Sequence, residues 1–151
     1  MENDPLRQQI ATVKQSLLDE GTVEPHFFHL EQLQSPEDPN FLERAIGLLY
    51  TDSMKVTNDM ERLLENQPVD FAAIIRLVQQ LRGMSASLGA QKVKERVLAL
   101  LGNCEQGHVE RSKASLQVLK LELGTLKARL DPYFQLVRQA RPANGAGGGP
   151  P

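Results

Sequence analysis

The stretch Val78-Gln79-Gln80-Leu81-Arg82-Gly83-Met84-Ser85-Ala86-Ser87-Leu88-Gly89-Ala90-Gln91-Lys92-Val93 sets small and cationic residues along a helix-forming segment that holds no nucleophile. Gln79 lies on the flank of the helix's apolar stripe, together with Ala72, Ile75, Arg82, Gly83 and Ala86, when residues are placed 100° apart. Its side-chain nitrogen is an amide whose lone pair is delocalised into the carbonyl, so it donates hydrogen bonds and attacks nothing. A neutral imidazole, by contrast, keeps an in-plane lone pair free to act as a nucleophile. Gly83 costs about 1 kcal/mol relative to Ala inside a helix. Two readings account for it: close packing of two helices within the fold, or room for another protein's surface.

The other reactive side chains do not assemble into a site. His26 and His29 are three apart, a spacing that brings two imidazoles to one face, but no second ligand pair accompanies them and packing or surface roles are expected. His108 reads as a solvated helix-start residue. Cys104 is the single cysteine, which excludes an internal disulfide and suits a reducing compartment. There is no Ser-His-Asp set, Gly-rich phosphate loop or metal cluster, so no metal, cofactor or independent enzymatic activity is expected.

The 151 residues suffice for one domain, and the composition, 40% apolar with no Trp, favours helix. Net charge is −2, unevenly spread: residues 1–70 carry 5 Lys and Arg against 14 Asp and Glu, a balance of −9, and residues 71–151 carry 12 against 5, a balance of +7. Acidic and basic helices packing side by side explain this asymmetry, and so does a basic surface awaiting an acidic partner. Nucleic acid is a poor partner for an acidic chain without basic-aromatic interleaving. The opening Met1-Glu2-Asn3-Asp4-Pro5 is unlike a signal peptide, and no apolar run approaches the ~20 residues of a membrane span.

Six helical segments follow from the 3.6-residue period. Leu6, Ile10, Val13 and Leu17 mark the first, near residues 5–19, with Gly21 as its C-cap. A second runs from Thr22 to about Gln34. Asn40 and Glu43 form a start signal of the capping-box type for a third, which keeps register to Asn66. After Pro68, Asp70 opens a fourth that ends at Leu88 and Gly89, and Ala90 to Leu101 defines a fifth before a loop at Asn103–Gly107. The last begins near Val109, and Asp131-Pro132 is expected to kink or interrupt it before it resumes to about Ala140. The Gly/Pro-rich residues 142–151 read as a disordered tail after a helical domain of residues 1–141. The fold class is all-α: an antiparallel four-helix bundle with two additional N-terminal helices.

Residues 78–93 resemble the phosphoacceptor helix of plant histidine-containing phosphotransfer (HPt) proteins, whose pattern reads His-Gln-Leu-Lys-Gly-Ser-Ser, small residues, then Gly-Ala-Gln-Arg/Lys-Val. The resemblance places Gln79 where that family has its phosphorylated histidine, and implies a pseudo-HPt protein with the same bundle fold. It implies docking on receiver domains of histidine kinases or response regulators, with Gln79, Arg82, Gly83, Met84, Ala86, Gln91, Lys92 and Ile75 on the face. It also suggests that Ile10 and Val13 of the first helix meet the receiver, although an apolar stripe ordinarily serves the core. Arg82 replaces the family's lysine. Met84 replaces a serine, which removes a hydroxyl expected near the phosphoryl site. The implied function is negative modulation of cytokinin signalling by a monomer in cytoplasm and nucleus; the alternatives are transfer through another residue, or a helical scaffold outside phosphorelay.

Overall fold

The computed structural model describes residues 4–141 as six helices: α1 (Pro5–Asp19), α2 (Pro25–Gln32), α3 (Phe41–Leu64), α4 (Phe71–Leu88), α5 (Gln91–Glu105) and α6 (Val109–Ala140). The tail expected to be disordered lies outside the described residues. Among those described, no helix is long and apolar enough to cross a membrane. α3 to α6 form the bundle. α4 and α6 each pack against both α3 and α5, while α1 lies on α6 and α2 on α3 and α4. Contacts run in opposite senses along neighbours: Asn103 meets Ser115 while Arg96 meets Glu122 between α5 and α6, and Glu61 meets Gln117 while Glu43 meets Arg138 between α3 and α6. The apolar stripes of all six helices supply one core, centred on residues such as Leu17, Phe27, Met60, Ile74, Val78, Val97, Leu119 and Tyr133.

Local signals set most helix ends. The Asp4 carboxylate accepts from the Leu6 amide at 3.0 Å ahead of Pro5, and the Asp70 carboxylate accepts from the Ala73 amide at 3.1 Å at the start of α4. His108 caps α6, its Nδ1 accepting from the Arg111 amide at 3.1 Å. Four expectations need correction. α2 begins at Pro25, not Thr22: Thr22 and Val23 are buried as connecting chain, and the residue before a proline disfavours helix. Asn40 and Glu43 form no capping box. The Gln34 side chain takes the Leu42 amide at 2.7 Å, Glu43 is drawn to Arg138, and the Asn40 side-chain oxygen Oδ1 is left buried without a partner. α5 continues through Asn103 to Glu105, because burial of Cys104 holds its final turn on the core, and Gly107 then turns the chain at φ 68°. α6 is not interrupted at Pro132. The proline ring faces solvent, while the buried Tyr133 and Phe134 keep the last turns packed, with the Tyr133 hydroxyl donating to the Glu31 carboxylate at 2.7 Å. Burial and that carboxylate push the Tyr133 hydroxyl pKa far up, so it remains a donor.

The charge asymmetry is partly consumed inside the fold. Lys94–Glu24 (3.0 Å), Lys120–Glu61 (2.8 Å), Lys113–Glu65 (3.4 Å), Arg129–Glu20 and Arg138–Glu43 all join the basic second half to the acidic first half. Hydrogen bonds from Arg129 and from Lys120 hold the Glu20 and Glu61 carboxyls below the usual carboxylate range. Exposed pairs of this kind contribute little each.

Among the described glycines, Gly89 at the corner between α4 and α5 is the most closely enclosed. Gly89 sits at φ 73°, and a Cβ there would lie 3.1 Å from His26 Nε2 and 3.2 Å from the Phe27 backbone nitrogen. Gly89→Ala is therefore expected to lower unfolding free energy by about 1–3 kcal/mol, read as a lower urea midpoint at unchanged m value.

Candidate partner-binding face

The rotation of α4 follows from its buried positions. Ile74, Val78, Leu81 and Ser85 face the core, and the Ser85 hydroxyl is satisfied by the Leu81 carbonyl at 2.9 Å. Gln79, Arg82 and Gly83 are consequently exposed. At 100° per residue, Ile75, Arg82, Gly83 and Ala86 fall within about 60° of Gln79. Ile75 is half-buried with part of its side chain against the core, and Ala86 is half-buried one further turn along.

Gly83 decides between its two readings. A Cβ built there meets nothing within 4 Å, so the fold does not use this glycine for close helix packing. The missing side chain leaves open space beside Gln79.

Met84 does not join this face. Five residues from Gln79, it lies about 140° round the helix, in a groove toward α3 formed with Leu48, Leu49 and Leu88. A serine hydroxyl at 84 would start from the same direction, so its absence does not bear on chemistry at position 79. Ile10 and Val13 are half-buried against the core on α1, whose main support is α6. Each gives part of its surface to packing and leaves part open.

The far end of the face is held by α2. His26 Nε2 lies 3.1 Å from the Ala86 carbonyl, the Glu24 amide donates to the Gly89 carbonyl at 2.8 Å, and Glu24 pairs with Lys94. The carbonyl can only accept, so the bond places the proton on Nε2. This fixes the corner from which Gln91 and Lys92 project, both half-buried; the Lys92 Cε reaches to 4.0 Å of a Cβ position at Gly21. Sequence reasoning missed this role of His26, since its partner is 60 residues away. It also missed Arg76, exposed and three residues before Gln79, which the i−3 spacing alone would have found. His29 is exposed, and among the described residues no group of three or more His, Cys, Asp and Glu is placed to hold a metal.

Exposed cations, an amide and a bare glycine thus share one helix face. Residues 44–129 match the Hpt domain family. Pseudo histidine-containing phosphotransfer protein 2 of Oryza sativa subsp. japonica is 39% identical over 142 residues, 94% of each chain. Histidine-containing phosphotransfer protein 1 of Arabidopsis thaliana is 38% identical over 124 residues, 82% of this chain and 80% of that one. The crystal structure of a histidine-containing phosphotransfer protein from Medicago truncatula superposes with a TM-score of 0.83 at 30% identity, over 93% of this chain and 98% of the other. This chain belongs to the Hpt family. It is an Hpt-type protein of two-component signalling, a family of phosphotransfer mediators and pseudo variants rather than conventional enzymes.

Because the Gly83 position is open, Gly83→Ala should stabilise the fold by roughly 0.5–1 kcal/mol through the helix propensity of alanine alone. Chemical denaturation measures this gain; a loss would mean that the glycine serves the fold after all.

Proposed function

We propose that this chain is a pseudo-phosphotransfer protein that docks on receiver domains of hybrid histidine kinases or response regulators through the Gln79 face and carries no phosphoryl group. The observation that carries the reading is the exposed amide at position 79, which has no nucleophilic lone pair, on a face it shares with the exposed Arg82 and with Gly83, where a Cβ would meet no other part of the fold. An amide nitrogen cannot accept a phosphoryl group under conditions where imidazole does. The rest of the surface stays competent to recognise a partner. Arg82 offers a planar guanidinium to the acidic pocket of a receiver, and Gly83 lets that pocket approach.

By occupying receivers without relaying phosphate, the protein competes with active carriers and acts as a negative modulator of cytokinin signalling, in the cytoplasm and nucleus. The likeness to pseudo histidine-containing phosphotransfer protein 2 supports this reading. Transfer through another histidine has little to rest on. None of the three histidines lies on α4: His26 and His29 are on α2, with His26 Nε2 directed to the Ala86 carbonyl, and His108 precedes α6, its Nδ1 engaged in capping that helix.

The test is to incubate the protein with a receiver domain carrying labelled phosphate and to follow complex formation and label together. Complex without label on this chain is expected; label on this chain sinks the proposal. Gly83→Gln should weaken the complex about tenfold or more by putting a long side chain where the partner approaches, with little change in folding stability. Arg82→Glu should weaken it too, and more so at low salt. Unchanged affinity in both variants would place docking elsewhere.

A further inference from the structure

Arg76 and Arg82 straddle Gln79. At 100° and 1.5 Å per residue they lie about 60° to either side of it and about 4.5 Å below and above it along α4. Both are exposed, and neither guanidinium makes an ion pair or hydrogen bond among the described residues. This sets them apart from most cations of the second half, which are matched to carboxylates. The carboxylate that shares a groove with Arg76, Asp59 on α3, is held by Arg62. Two uncommitted planar forks therefore flank an amide that offers two N–H donors. The exposed Ala72 and the open position at Gly83 leave the approach clear.

Such a donor set fits a tetrahedral oxyanion, the ligand for which guanidinium forks are best suited. We infer that this chain reads the phosphoryl group without accepting it: the arc Arg76–Gln79–Arg82 hydrogen-bonds the phosphoryl oxygens of a phosphorylated carboxylate on the docked receiver. The inference rests on the docking reading above and deepens it. No covalent bond forms or breaks, and the consequence is preferential capture of the phosphorylated receiver. Arg82 serves both docking and reading, so Arg76 is the residue that separates them.

The experiment titrates this protein into a purified response-regulator receiver domain by calorimetry, with Mg²⁺ alone or with Mg²⁺ and beryllofluoride, which forms a tetrahedral mimic of the aspartyl phosphate. The parent is expected to bind the beryllofluoride form about tenfold more tightly. Arg76→Ala should abolish most of that preference while changing affinity for the unmodified receiver by no more than about twofold. Arg76→Lys should restore part of it, and Lys55→Ala, an exposed cation on α3, should leave it intact. Equal affinity of the parent for the two forms, or full preference retained in Arg76→Ala, overturns the inference and leaves docking standing. Binding of neither form overturns both.

Discussion

Everything at the candidate partner-binding face depends on the rotation of α4, and burial of Ile74, Val78, Leu81 and Ser85 sets that rotation. Full burial of each large apolar side chain contributes about 1.5–3 kcal/mol. Turning the helix by one residue, 100°, would move Val78 toward solvent and carry the Gln79 amide inward. An amide buried without a partner costs about 1–3 kcal/mol. The two terms act in the same direction, so the outward aim of Gln79, Arg82 and Gly83 follows from the core and needs no contact of their own. The clamp at the other end, where Gly89 admits the His26 ring and the Glu24 amide, fixes the corner that presents Gln91 and Lys92.

Recognition and chemistry are separable on such a surface. Docking uses shape and charge distributed over many side chains. Transfer uses one lone pair. An amide at position 79 can serve the first and not the second, and the fold is indifferent to the choice of amide or imidazole because position 79 is exposed. At Gly83 the helix carries a cost of about 1 kcal/mol that no contact inside the chain offsets, as it does at Gly47, Gly102 and Gly124.

The boundaries of α4 were legible in the sequence because both are set within four residues: Asp70 caps its own helix, and Gly89 adopts the left-handed turn that ends it. The outward direction of Gln79 and Gly83 was legible for a related reason, since a single helical period fixes which flank each residue occupies. What the sequence did not show depends on distant partners. The displaced start of α2, the Gln34 cap on α3 and the diversion of Glu43 to Arg138 all arise from tertiary contacts that compete with local signals. The continuity of α6 through Pro132 is of the same kind, because the burial of Tyr133 and Phe134 holds the helix together across a residue that disfavours helix on its own. The motif alone puts Met84 with the face, whereas helix geometry sends it to the groove beside α3. Arg76 lies outside that motif.

The central claim is that the surface is intact and only the nucleophile is absent, and Gln79→His tests it most directly. An imidazole on this exposed flank would titrate near its ordinary ~6.5 and be largely neutral at pH 7. The measurement is uptake of label from a phosphorylated receiver by the Gln79→His variant beside the parent. The account predicts acid-labile label on the variant, with or without Met84→Ser, and none on the parent. A variant that binds the receiver yet takes up no label, or a parent that becomes labelled, would contradict it.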